Sequence, residues 1–230
     1  MVAGLALLPN GIGDPFLVPP FDDPDRVVQA VLPLLKEWSD GPILAQGMDR
    51  HWATALGGGG FVLEETRRWM IRPIAAYGQA LAGVEAEPVR ADDTREIAGL
   101  LHRSFQGLST NDGQRDLASF AEAVDRHFSG REGSGIPDSA SAVVREGDGT
   151  ATAVCLVNEQ RGLPTIQFLA TVPEARGRGL ASHLVHRAMD ELVGVGDWVK
   201  LAVTVGTPAE GLYERLGFKG GPSISSLVLE

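Results

Sequence analysis

Val172-Pro173-Glu174-Ala175-Arg176-Gly177-Arg178-Gly179-Leu180-Ala181 is the stretch on which the fold of this chain turns. An apolar run from Thr165 to Val172 leads into it and stops at Pro173. A helical pattern from about Gly179 to Val193 leaves it, with Leu180, Leu184, Val185, Ala188, Met189 and Leu192 on one face. A strand, a turn with two glycines and a helix start together make an anion site, because first-turn N–H groups lack intrahelical partners and the helix dipole adds positive charge. Glycine at 177 and 179 lets the backbone approach a ligand and take positive φ. Arg176 and Arg178 supply charge, so the implied ligand is a phosphate or pyrophosphate. On glycine spacing alone, an exposed basic turn is an equal alternative. G-x-x-x-x-G-K-[ST] does not occur, and Ser182 leaves G-x-G-x-x-G incomplete.

Upstream, Glu87-Pro88-Val89-Arg90 has the pattern of a short strand, and Asp92-Asp93 caps a helix with Ile97, Leu100, Leu101 and Phe105 on one face. The polar loop Gln106 to Gln114 separates it from a second helix with Leu117, Phe120, Ala121, Val124 and Phe128 inward. Ala140 to Arg145 and Ala151 to Val157 are strands joined at a hairpin turn, Glu146-Gly147-Asp148-Gly149-Thr150. Downstream come a strand (Trp198 to Val205), a short helix (Pro208 to Leu216) and a last pair of strands around Phe218 and Ile224 to Leu229. The order β-α-α-β-β-β-α-β-α-β-β describes an α/β fold with a mixed sheet flanked by helices.

Three segments carry a family likeness. Arg176 to Ala181 fits [RQ]-x-x-G-x-[GA]; Leu169-Ala170-Thr171-Val172-Pro173 precedes it; Ala209-Glu210-Gly211-Leu212-Tyr213-Glu214-Arg215-Leu216-Gly217-Phe218 has the form A-x-x-L-Y-x-x-L-G-F. With these in order, residues 86 to 230 resemble the Gcn5-related N-acetyltransferases (GNAT), which move an acetyl group from acetyl-CoA to an amine. The resemblance implies a mostly antiparallel, twisted sheet. It implies that backbone groups of Leu169, Ala170 and Thr171 meet the pantetheine arm, and that Arg176, Gly177, Arg178, Gly179, Leu180, Ala181 and Ser182 surround the pyrophosphate. It implies Tyr213 as proton donor to the departing thiolate, acetyl-CoA as co-substrate, no metal, and a primary amine acceptor in a small molecule or at a peptide N-terminus. The other reading of Tyr213 is a packing residue in an amphipathic helix.

Two departures matter. Gln167 and Leu201 stand where many of these enzymes carry an acidic residue, and Gly206 stands where they often carry Asn, so no general base is visible. A water relay, Asp112 in the Gln106–Gln114 loop, or Glu159 is left to serve. A non-catalytic acyl-CoA-binding sensor and an interaction module on the same fold are the alternatives. His183 and His186, three apart on one helix, lack a third ligand and read as solvated or capping residues. Cys155 alternates with core positions and reads as buried.

The first eighty residues look like a worn copy of the second half. Phe16-Leu17-Val18-Pro19-Pro20 is similar to Phe168-Leu169-Ala170-Thr171-Val172-Pro173, and Asp23-Pro24 caps a helix carrying Val27, Val28, Val31, Leu34, Leu35 and Trp38. Pro42 to Gln46 follows as a strand, Asp49 to Leu56 as a helix, and Phe61 to Leu63 and Arg67 to Ile71 as closing strands. Phe21-Asp22-Asp23-Pro24-Asp25-Arg26 replaces the arginine–glycine turn and would repel phosphate, and Ala53 aligns with Tyr213. Gly57 to Gly60 reads as a flexible loop. The expected division is a degenerate, smaller α/β half-domain (1–82) without a cofactor loop and a catalytic domain (83–230).

The 230 residues carry 20 Lys+Arg against 30 Asp+Glu, a net charge of -10. That balance disfavours nucleic acid as a partner, while 43% hydrophobic residues suit a globular core. The single cysteine excludes an internal disulfide and fits a cytoplasmic setting. No apolar run approaches the ~20 residues of a membrane span, and the N-terminus makes a poor signal peptide. A homodimer is left open.

Overall fold

The computed structural model describes residues 3–8, 11–17, 23–78, 81, 83–130 and 135–230. These form two compact units, interleaved along the chain: residues 1–69, 203–210 and 221–230 in one, 70–202 and 211–220 in the other.

In the first unit, β1 (Ala3–Leu8) and β2 (Gly11–Leu17) form an antiparallel hairpin. Asp23 accepts the Arg26 N–H at 3.2 Å and starts α1 (Pro24–Trp38), with Pro24 in the first turn, where a missing N–H costs nothing. Helix α1 returns the chain to β3 (Ile43–Met48), parallel to β2 with Ile12 opposite Ala45. Asp49 caps α2 (Arg50–Gly58) by accepting N–H groups of His51 and Trp52. The core gathers Ile12, Val28, Leu35, Met48, Trp52 and Leu56. Leu34 and Trp38, expected inward on α1, are 63% and 50% exposed. The expected pair of closing strands is one strand, β4 (Val62–Pro73). It runs through Glu64-Glu65-Thr66 because Glu65, though buried, accepts hydrogen bonds from Arg67 and the Thr204 hydroxyl. Nor is Gly57 to Gly60 a free loop: Gly57 and Gly58 are helical, Gly59 caps, and of the four only Gly60 takes positive φ. Val18 to Asp22, which include most of the motif aligned with 168–173 and the start of the stretch replacing the glycine turn, lie outside the described residues.

The second unit opens with β5 (Ala86–Pro88), α3 (Thr94–Phe105) and α4 (Leu117–Ser129). Then come β6 (Ala142–Arg145), β7 (Ala151–Gln160) and β8 (Leu163–Thr171), antiparallel in succession. Helix α5 (Leu180–Glu191) crosses to β9 (Trp198–Thr204), parallel to β8. Helix α6 (Pro208–Arg215) and β10 (Lys219–Leu229) finish the chain. The expected final pair of strands is this single β10, in which neither Gly220 nor Gly221 takes positive φ to break the strand. On α4, Leu117 is 47% exposed and Phe128 half-buried, whereas His127 is fully buried. Arg145 binds Glu87, Asp93 and Glu96, tying β6 to β5 and to the start of α3.

The succession hairpin, helix, parallel strand, helix, long strand occurs twice. Both second helices end alike: Phe61 N–H bonds to Leu56 O and Phe218 N–H to Tyr213 O, each at 3.0 Å, after a glycine with φ of 96° or 86°. The long strands are exchanged. Strand β10 pairs with β3 (Leu227 opposite Ala45), so its residues 221–230 belong to the first unit, while β4 from Met70 onward belongs to the second. Hydrogen-bonded order runs β1-β2-β3-β10-β4 and β9-β8-β7-β6-β5.

Candidate functional site at the strand β8–helix α5 turn

Strand β8 is paired differently on its two edges. Against β7 the pairing runs from Gln160–Leu163 to Ala153–Thr171, interrupted where Leu156 faces Phe168 and Val157 faces Ile166, which leaves Gln167 as the extra residue of a bulge. Against β9 the described pairing covers Thr165–Lys200 and Ile166–Leu201. The pairing ends there, so Leu169, Ala170 and Thr171 lie beyond the last residue of β8 paired with β9. Thr171 Oγ1 is buried there without a partner among the described residues. A strand edge without a partner strand can in general be completed by an extended amide-containing ligand.

The same strand runs into the glycine turn. Pro173–Ala175 is a single 3-10 turn, Gly177 has φ 77°, and Gly179 is the α5 N-cap with φ 79° and ψ 3°. A methyl group added at Gly177 would meet nothing within 4 Å, whereas one at Gly179 would lie 3.6 Å from Leu81 Cδ2. Leu180, Ala181 and Ser182 form the first turn, so their N–H groups are the helix donors open to an anion.

The two arginines are engaged within the protein. Arg176 donates to Thr171 O (3.3 Å) and Ser104 O (2.7 Å), bracing the turn against α3. Arg178 pairs with Glu146 at 2.5 Å on the surface. Backbone amides, not guanidinium groups, are therefore the donors this turn offers first. A concavity of about 390 Å³ beside Arg178 carries Glu146, Asp148 and Glu174 against Arg103 and Arg178, a balance unsuited to phosphate.

Tyr213 is 7% exposed and packs edge-on against Phe218, with ring centroids 5.7 Å apart. Burial, and then the neighbouring Cys155, pushes its phenol above the ordinary tyrosine range. Cys155 lies opposite Leu169 across β7 and β8, which sets Tyr213 beside the open strand. Burial also pushes the Cys155 thiol up to about 12. Cys155 is therefore expected to stay silent to Ellman's reagent in the folded protein and to react fully in denaturant; rapid native labelling would contradict its burial.

Of the sequence candidates for a base, Asp112 pairs with Arg115 at 3.3 Å and Glu159 accepts the Gly162 N–H in the β7–β8 turn. The expectation of solvated or capping histidines on α5 is corrected. His183 is 8% exposed and its Nδ1 accepts the Leu81 N–H at 3.1 Å. His186 stacks on Tyr77 at 3.7 Å, with the Arg72 guanidinium on Tyr77 as well. Asp190 accepts N–H groups of Tyr77 and Gly78, so Gly179, His183, His186 and Asp190 form a stripe along α5 that receives the Tyr77–Leu81 segment. No local signal on α5 points to this, because the partners lie about 100 residues away.

Burial, then Arg187, holds His183 below the ordinary imidazole range; burial, then Arg72, lowers His186, against Asp190. A base with a depressed folded pKa leaves the unfolded chain binding more protons, so its contribution is full above about pH 6.5 and is lost as pH falls. The melting temperature is expected to fall from pH 7 to pH 5, above the range of the lowered carboxylates. His183→Gln should flatten that slope in calorimetry; an unchanged slope would remove His183 as its source.

Among the described residues no helix is long and apolar enough to cross a membrane, and no group of three or more His, Cys, Asp or Glu is placed to hold a metal ion. Residues 137–220 match the family described as acetyltransferase (GNAT) domain. No curated protein matches the sequence. Among solved structures, a GCN5-related N-acetyltransferase from Sphaerobacter thermophilus aligns with 99% of this chain and 76% of its own, at TM-score 0.71 and 18% identity. A GNAT-family acetyltransferase from Colwellia psychrerythraea aligns with 100% and 82%, at 0.66 and 7%. A tandem GNAT protein from the clavulanic acid biosynthesis pathway aligns with 100% and 79%, at 0.62 and 13%. At these identities the likeness is one of fold.

Proposed function

We propose, from the match of residues 137–220 to the GNAT domain and the likeness of fold, that this chain is a GNAT enzyme, an acetyl-CoA-dependent N-acyltransferase acting on a primary amine. The observation that carries the reading is that the pairing of β8 with β9 ends at Ile166 and the same strand leads on to a glycine turn at a helix N-terminus. Leu169 to Thr171 would hold the pantetheine arm by backbone hydrogen bonds, and the amides of residues 177 to 182 the pyrophosphate. Acetyl-CoA supplies the electrophilic thioester carbonyl. A neutral amine nitrogen forms the new C–N bond, the C–S bond breaks, and the amine loses one proton to water while the thiolate gains one. Backbone N–H groups of β8 would stabilise the developing oxyanion. Tyr213 supplies the hydrogen bond to the leaving sulfur. Its raised pKa makes the phenol a weaker acid than the free side chain, so the donated hydrogen bond carries more of its effect than complete proton release.

Residues 1–82 serve, on this reading, as a degenerate half-domain without a cofactor turn. The repeated element order and matching helix ends support that origin. Cytoplasmic location and a lack of nucleic-acid or membrane partners belong to the same proposal. One observation favours a non-catalytic acyl-CoA sensor instead: Gln167 is not acidic, and Asp112 and Glu159 are engaged elsewhere. The two readings part in one experiment. Acetyl-CoA should raise the melting temperature, and thiol release with a panel of primary amines marks the enzyme. Stabilisation without release marks the sensor, and no stabilisation defeats both.

A further inference from the structure

The first unit carries a cleft of about 350 Å³, and every described residue that lines it belongs to that unit. One wall is a face of α2, where Arg50, Ala53, Thr54 and Gly57 recur at the spacing that sets side chains on one side of a helix. The other is β10, where Ser223, Ser225 and Leu227 alternate and share one face. That alternation survives the irregular pairing with β3: the step from Ser225 to Leu227 faces the longer step from Met48 to Ala45, so the extra residue lies on β3. Thr66 of β4 joins the row, its hydroxyl 3.1 Å from that of Ser225. Phe61 and Leu63 add apolar surface.

The polar side chains here offer protons and little to receive them. No Asp or Glu stands among the described lining residues, in a chain of net charge -10. The Arg50 guanidinium, a donor only, is exposed and has no ion pair among the described residues. The Thr54 hydroxyl gives its proton to Arg50 O at 2.8 Å. Thr66 and Ser225 hold two hydroxyl protons and use one between them, which leaves one for an acceptor. Ser223 Oγ has no hydrogen bond among the described residues. An excess of donors around one cation selects an anion. Leu63 is 55% exposed, and with Phe61 and Leu227 it gives the same cleft apolar surface for a ligand's body to cover. The volume falls at the lower end of the range for small-molecule sites, ~300–1,000 Å³.

We propose that this cleft binds a small monocarboxylate with an alkyl or aryl body. Arg50 and the hydroxyl row of Thr66, Ser223 and Ser225 hold the carboxylate, and Phe61, Leu63 and Leu227 take the body. The apolar surface is what selects such a ligand over inorganic phosphate, which would use the donors alone. The site lies wholly within the first unit and does not rest on the acetyl-transfer reading.

The test titrates full-length, 15N-labelled protein with 4-methylpentanoate and phenylacetate, and with acetate and inorganic phosphate as anions lacking an apolar body. At least one of the two longer carboxylates should give saturable shifts in the amides of residues 50–57, 61–66 and 223–227. It should bind about tenfold more tightly than acetate or phosphate, the effect of covering a few CH2 groups. No saturable shift with either longer carboxylate, shifts centred elsewhere, or equally tight binding of acetate or phosphate overturns the proposal. Arg50→Glu should weaken the better ligand about tenfold or more and keep the melting temperature, since an acidic residue is favourable in the first turn of α2. Leu63→Ser, at an exposed position, should remove most of the preference over acetate. Native affinity in Arg50→Glu, or an intact preference in Leu63→Ser, overturns the assigned contacts and the proposal with them. Acetyl-CoA binding is read by the thermal-shift experiment above, so the failure of one proposal is distinct from the failure of the other.

Discussion

Gly179→Glu is expected to weaken acetyl-CoA binding by about 10²-fold or more in titration calorimetry, with the fold retained. Gly179 takes φ 79° at the N-cap of α5, a conformation that costs any other L-residue about 1–2 kcal/mol. The added side chain would also start 3.6 Å from Leu81 Cδ2. Charge is the larger effect. A carboxylate is favourable at a helix N-terminus, so the introduced side chain would occupy the anion cradle with its own oxygens and repel a pyrophosphate. Gly179→Ala separates the two causes: it carries the backbone strain without the charge, and should lower the melting temperature while losing far less affinity. Native affinity in Gly179→Glu would place the cofactor elsewhere on the molecule.

Tyr213→Phe is expected to lower kcat about 10²-fold with acetyl-CoA affinity nearly intact. The substitution removes one oxygen and keeps the ring that packs on Phe218, so the helix ending at Gly217 should stand. Since burial raises the phenol pKa, no ionisation of Tyr213 should appear in the pH–rate profile below about pH 10. An unchanged kcat with a cognate amine would return Tyr213 to a packing role.

Much of the second unit was legible because its signals are local. Ile97, Leu100 and Leu101 repeat at helical spacing and are all buried, and Leu180, Leu184, Ala188 and Met189 do the same on α5. The 146–150 turn joins β6 to β7 as its glycines and aspartate require. What escaped was non-local. Glu64-Glu65-Thr66 looked like a break between strands, but Glu65 is satisfied by a threonine far along the chain. His127 falls outside the inward set read from the sequence on α4, yet it is buried, with Ser141 Oγ and Gln167 Oε1 at its two ring nitrogens. The histidines of α5 looked solvated because Leu81 and Tyr77, which cover them, are distant in sequence.

By itself the sequence determined the helix and strand periods, the glycine turn before α5 and the Gly–Phe exit after Tyr213, because each depends on residues within a few positions of one another. Only the tertiary structure decided that β4 and β10 exchange places, that a bulge falls at Gln167, and that Arg176 braces Ser104, 72 residues away, instead of facing a phosphate. Those outcomes follow from hydrogen-bond pairing across the fold. Spacing along a chain does not report which edge of a strand, or which buried carbonyl, is left to be satisfied.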